Sequence, residues 1–136
     1  PGAAYFPSSH DRPHDLSVQV NWSAFRGFTL SAAFTHATGT PYTRAKFGYM
    51  IGENLICEYY PHNSSRLPDY NRLDMAAAYT SETGRFRHTF TLSVYNALAC
   101  RNVLFRYPSY SVQDGIEQRE SIMKAVIPAL TYTMEF

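Results

Sequence analysis

Five histidines and two cysteines are the residues with the widest chemical range in this chain. His10, His14, His36, His62 and His88 could each ligate a metal or act as a base. Their spacing supports neither role. His10 and His14 lie four apart, but in a stretch broken by Pro13 that reads as loop rather than helix. None of the others pairs at a metal-ligand spacing. Nucleophilic catalysis needs a nucleophile beside a base, and no such set stands out. The expectation is therefore no catalytic residue, no metal and no cofactor. Tyrosine is abundant, with eleven copies. Tyr42, Tyr49, Tyr59, Tyr60, Tyr107 and Tyr110 fall in segments that read as loops. A rigid ring with a polar tip suits contact with a ligand or partner, and equally suits packing within ordered loops.

The elements that position these residues follow from composition and periodicity. The chain has 136 residues, 45% of them hydrophobic, and a formal charge of +1. This is enough apolar content to exclude disorder. No basic stripe marks a nucleic-acid footprint. No run of about 18 apolar residues is present, which excludes a membrane-spanning helix. Mean hydropathy is −0.31, a value that would suit a soluble protein. It also suits a β-barrel, whose strands alternate apolar and polar residues. The opening PGAAYFPSS reads as mid-loop, so the chain is expected to be a piece of something longer.

Alternation with period two runs through five segments. In Asp15–Phe25, Leu16, Val18, Val20, Trp22 and Ala24 share one face. Arg26-Gly27 is a tight turn, and Phe28, Leu30, Ala32 and Phe34 continue the pattern. From Gly39 to Pro68 the chain reads as a long irregular stretch, with a small hairpin about Gly52-Glu53-Asn54. Leu73, Met75, Ala77 and Tyr79 form the next apolar face, followed by a short turn over Ser81–Arg85. Phe90, Leu92 and Val94 follow. A second long loop is expected from about Ala99 to Ser121, and a last strand over about Lys124–Phe136. The connections alternate short and long. The strands, at about 10–13 residues, are long enough to cross a bilayer when tilted.

This rhythm is that of an outer-membrane barrel, with short periplasmic turns and long extracellular loops. Trp22, Phe25, Phe28, Tyr79, Phe86, Phe90, Tyr132 and Phe136 all gather at the short-turn end, where an aromatic girdle is expected. A soluble β-sandwich also has apolar strand faces, but has no reason to collect aromatics at one end of every strand. The fold class is therefore all-β, a transmembrane antiparallel barrel of which residues 1–136 form the C-terminal part.

HDRPHDLSVQVNW (10–22), ATGTPYT (37–43), SSRLPDYNRLDMAAAY (64–79), FTLSVYNALACRNVLF (90–105) and IPALTYTMEF (127–136) together resemble the C-terminal end of a TonB-dependent outer-membrane receptor. The likeness is to the branch with carboxypeptidase-regulatory-like and plug domains. It covers nearly all of this chain and a minor part of such a receptor. It implies a barrel of about 22 strands, of which these would be the last five, in the outer membrane of a Gram-negative bacterium. It also implies active uptake of a nutrient, with the plug and most strands lying outside this sequence. The implied partners are the remainder of the receptor, outer-membrane lipid, TonB through the absent N-terminal part, and a surface lipoprotein.

Individual residues acquire expected roles within that frame. Leu130, Tyr132, Met134 and Phe136 resemble the C-terminal signal read by the barrel-assembly machinery. Deleting Phe136 is expected to reduce insertion. Pro128 lacks an N–H and is expected to interrupt the ladder of that strand unless it sits at a bulge. Asp15, Gln19, Asn21, Arg72, Asp74, Tyr95 and Glu135 are expected to face the lumen, with Arg72 and Asp74 bridging across the wall. Ala33, Ala76, Ala78, Ala125 and Ala129 keep that face slim. Cys57 and Cys100 fall in the two long loops on the extracellular side, where a disulfide is permitted; a Cys57–Cys100 bridge and two unpaired thiols are the two readings. The other readings are a structural, adhesive or secretion-associated barrel without import, and a soluble sandwich that binds a partner.

Overall fold

A computed structural model describes residues 5–111 and 115–136, except for the side chains of Leu55 and Tyr110. Among the described residues there is no helix. The strands, in chain order, are β1 (Asp15–Phe25), β2 (Phe28–Ala37), β3 (Pro41–Tyr42), β4 (Ala45–Ile51), β5 (Asn54–Tyr59) and β6 (Ser65–Arg66). They continue with β7 (Tyr70–Thr83), β8 (Phe86–Tyr95), β9 (Asn102–Ser111), β10 (Gly115–Met123) and β11 (Ile127–Glu135). The fold is all-β. The chain divides into two compact units.

One unit comprises Asp15–His36, Asn71–Arg101 and Lys124–Phe136. Its sheet has the order β1-β2-β7-β8-β11. These are the five long strands that alternation predicts. Each pairs with its neighbour in sequence order once the excursions are skipped, and β1 and β11 are the two edges. Two hairpins end in two-residue turns, Arg26-Gly27 and Gly84-Arg85. Gly27 has φ +76° and Gly84 φ +64°, the left-handed region in which a Cβ is costly. At Gly27 an added Cβ would also meet the Thr80 carbonyl oxygen. The second turn is tighter than expected. Ser81, Glu82 and Thr83 belong to β7, because Thr83 pairs with Phe86, Glu82 with Arg87 and Ser81 with His88. The last strand begins at Ile127, three residues later than its composition suggests.

The other unit comprises Pro1–His14, Ala37–Tyr70 and Asn102–Met123. It holds the β3–β6 ladder and the β4–β5 and β9–β10 hairpins. The β4–β5 hairpin turns at Gly52-Glu53, where its glycine predicts a turn. The expected second long loop is instead largely the β9–β10 hairpin. Gly48 of β4 lies against the Ile116 side chain of β10, leaving no room for a Cβ. Arg66 clamps the unit. Its guanidinium donates to the Asp11 carboxylate (2.7 Å), the Asp11 carbonyl (2.9 Å) and the Gly39 carbonyl (2.8 Å). Asn63, at φ +53°, donates to the Pro7 carbonyl at 2.8 Å.

Candidate functional site

Strand register sorts the side chains of the sheet onto two faces of opposite character. Met75 stands opposite Val94, Ala77 opposite Leu92 and Tyr79 opposite Phe90. Across the next ladder Val94 meets Pro128, Leu92 meets Leu130, Phe90 meets Tyr132 and His88 meets Met134. Directly opposed residues share a face, so three strands build one apolar surface. Their intervening residues build the other. Ala76 stands opposite Ser93, Ala78 opposite Thr91, Thr80 opposite Thr89 and Glu82 opposite Arg87. Ser93, Thr91, Thr89 and Arg87 then meet Ala129, Thr131, Thr133 and Glu135.

The apolar face is open. Leu130 is 76% exposed, Trp22 60% and Leu92 53%. Among the described residues only Ala37, Ala45 and Leu67 are buried hydrophobics; Ala37 is the last residue of β2, and Ala45 and Leu67 lie in the other unit. A water-soluble domain of this length removes about two thirds of its surface from solvent around an apolar core. Here the apolar side chains of the sheet point outward. Val20, Leu30, Met75 and Leu92 line a shallow depression of about 440 Å3 between the strands, floored by Ala32 and Ala77.

At the short-turn end aromatic rings are in mutual contact. Phe25 and Phe28 stack across the Arg26-Gly27 turn with centroids 4.9 Å apart. Phe90 and Tyr132 are 4.9 Å apart on neighbouring strands. His88 Nδ1 shares a hydrogen bond of 2.9 Å with the Tyr132 hydroxyl. Phe136 is 96% exposed. Leu130, Tyr132 and Met134 therefore alternate along the edge strand on the apolar side, as their spacing predicts, and Phe136 follows the strand's last residue.

The opposite face gathers several of the polar residues singled out by spacing. Gln19, Asp74 and Tyr95 line one depression of about 250 Å3, together with Ala33, Ala76 and Ser93. Asp15 and Asn21, both exposed, lie on β1. Arg72 ion-pairs with Asp74 at 2.9 Å and donates to the Tyr95 hydroxyl at 2.8 Å, while lying over the Tyr95 ring. The Arg72–Asp74 bridge thus runs along one strand, and the link across strands is made by Arg72 with Tyr95. Nearer the turns Arg87 contacts Glu82 at 3.1 Å and Glu135 at 3.5 Å, which ties β7, β8 and β11 together.

Asn96 is the residue that alternation did not reveal. It is fully buried, with φ +54°. Its backbone N–H donates to Asp74 (3.0 Å), its side-chain oxygen accepts from Cys100 N–H (3.1 Å), and its side-chain amide donates to the carbonyls of Cys100 (3.2 Å) and Ala125 (3.4 Å). A lone Asn ending an alternating run is the available sequence signal, since Asn tolerates the left-handed region.

The loop tyrosines divide. Tyr42 accepts a hydrogen bond from Arg106 at 2.8 Å, and Arg106 pairs with Glu120 across the β9–β10 hairpin. The hydrogen bond to Tyr42 holds the Arg106 guanidinium above its ordinary pKa, with Glu120 acting in the same direction and burial opposing. Tyr49, Tyr59, Tyr60 and Tyr107 are exposed. Tyr110 lies in β9, and its side chain is outside the described residues. Cys57 in β5 and Cys100 carry free thiols and belong to different units. Alkylation mapping without reductant distinguishes two free thiols from a bridge. His36 bonds Asn71 at 2.8 Å and His62 bonds Thr43 at 3.2 Å. No cluster of metal-ligating side chains occurs among the described residues. Comparison with family models, curated proteins and solved structures finds no match to this chain.

Proposed function

We propose that this chain is the C-terminal wall and rim of a TonB-dependent outer-membrane receptor that takes up a nutrient. The observation that carries the membrane part of this reading is the outward apolar face, held in register over β7, β8 and β11 and ending in aromatic rings. Lipid is a solvent that accepts such a face. The edges β1 and β11 argue that the sheet is part of a larger one. In hydrocarbon each unpaired backbone N–H or C=O costs several kcal/mol, so further strands must close the sheet on itself. The Thr- and Ser-lined face would then border the lumen, with Asp15, Gln19, Asn21, Arg72, Asp74, Tyr95 and Glu135 on that side. The import part of the reading rests on the resemblance of the RLPDYNRLD and SVYNA segments to those receptors.

Mass-spectrometric mapping of the outer-membrane polypeptide that carries residues 127–136 tests it. Upstream peptides of a plug with an energy-coupling box are expected. A barrel polypeptide without them would remove import and leave a structural or adhesive barrel. Recovery of the polypeptide in the aqueous fraction without detergent would remove the membrane reading altogether.

A further inference from the structure

The two short turns share a chemistry that the barrel wall does not require. Each is two residues long, and each pairs one glycine with one arginine: Arg26-Gly27 and Gly84-Arg85. Glycine is needed for the positive φ. The arginine is not, because nothing in a two-residue turn demands a cation. Arg26 and Arg85 are exposed, and among the described residues neither has an ion-pair partner. Arg87, at the same end of the sheet but on the opposite face, is neutralised by Glu82 and Glu135. Phe25, Phe28 and Phe86 flank these two cations in sequence, and Arg85 shares a shallow depression with Glu82, Arg87 and Glu135 without an ion pair to either carboxylate.

The stagger of the hairpins bears on their depth. Thr80 N–H donates to the Gly27 carbonyl at 2.6 Å, which sets the first turn level with Thr80. Gly84 follows Thr80 by four positions. Adjacent hairpins are centred about 10 Å apart, two strand spacings. Strands tilted by about 45° would need a stagger of about 10 Å, roughly three residues, to bring both turns to one membrane depth. The observed offset is close to that. A tilt in that sense would bring both arginines to the plane of the lipid head groups.

We propose that Arg26 and Arg85 form a paired contact site for the phosphate of anionic phospholipid head groups at the short-turn end of the wall. This rests on the membrane reading above. Guanidinium binds phosphate through paired N–H donors, and rings flanking it suit the interface between head groups and acyl chains. Lipids, rather than free phosphate, fit because the exposed rings of Phe25 and Phe86 adjoin the two cations in the turns.

The test uses the full-length protein that bears this chain, in bilayers of phosphatidylcholine with increasing phosphatidylglycerol. Retention of phosphatidylglycerol over phosphatidylcholine is read by native mass spectrometry. A preference is expected for the wild type, falling about fivefold for each of Arg26→Gln and Arg85→Gln, the effect of one basic residue at an anionic surface. Arg26→Lys and Arg85→Lys should keep most of it, and Arg87→Gln should stay within twofold of wild type. Raised salt should weaken the preference. Insertion with no preference in the wild type, or an equal preference in wild type and both Gln variants, would overturn the site and leave the membrane reading standing. A protein that does not enter the bilayer would overturn both. Inorganic phosphate that competes as well as the lipid would overturn the assignment to head groups. The wild-type lipid and phosphate titrations decide the matter even if a variant fails to assemble.

Discussion

At the scale of single residues, two backbone positions in the left-handed region make separable predictions. Gly27→Ala combines an unfavourable φ with a Cβ against the Thr80 carbonyl. Gly84→Ala has the same φ problem with nothing within 4 Å of the new atom. Urea unfolding of the full-length protein should show a loss of about 1–2 kcal/mol for Gly84→Ala, and a larger one for Gly27→Ala, because strand β7 must also shift. Equal losses would show that β2 and β7 are not so closely apposed. Asn96 permits a similar decomposition. Asn96→Gly keeps the backbone conformation and loses the bonds to Cys100 and Ala125, whereas Asn96→Ala loses both. The order wild type, Gly, Ala is expected, with Ala down by about 2–4 kcal/mol. The glycine turns were legible because a Gly beside a charged residue between two alternating runs has few other uses. Asn96 was not, since its role depends on Asp74, Cys100 and Ala125 meeting in space. The Arg106–Glu120 pair was hidden for the same reason: its partners are brought together only by the hairpin.

At the scale of elements, alternation identified the strands of the sheet well, and β1 ran over the residues its pattern marks. The reason is physical: the sheet has one apolar and one polar face, so its strands alternate with period two. The β9–β10 hairpin escaped notice because its two faces lack that contrast. Pro108 within β9 reads as a loop residue in sequence, and the side of the hairpin that carries Arg106, Gln118 and Glu120 uses polar pairs where a strand core would use aliphatic residues. β7 also outran its expected end, since Ser81, Glu82 and Thr83 look like turn residues but pair with β8. The two faces of β11 make opposite predictions for neighbouring positions. Leu130→Arg places a charge on the apolar side near mid-strand and should cost about 2–4 kcal/mol in a bilayer. Thr131→Arg places it on the other side and should cost well under half as much. Unfolding of the two variants in lipid, measured side by side, checks this. A larger loss for Thr131→Arg would reverse the assignment of the faces.

At the scale of the molecule, the sheet lacks a buried apolar core and has two edges, while the second unit holds the few buried hydrophobic residues. In the proposed reading a membrane would supply the missing surroundings for the face, and additional strands would supply partners for the edges. The all-β class and strand order followed from the sequence pattern, whereas closure of the sheet on itself belongs to the proposed barrel. The central claim is that the apolar face meets lipid. Spin labels placed one at a time at 129–135 in the full-length protein, with Cys57 and Cys100 replaced, test it by relaxation with oxygen, which is enriched in hydrocarbon, and with a water-soluble nickel chelate. Oxygen accessibility should oscillate with a period of two and peak at 130, 132 and 134, with the chelate low there. Peaks of chelate accessibility at those three positions, or no oscillation at all, would contradict the account.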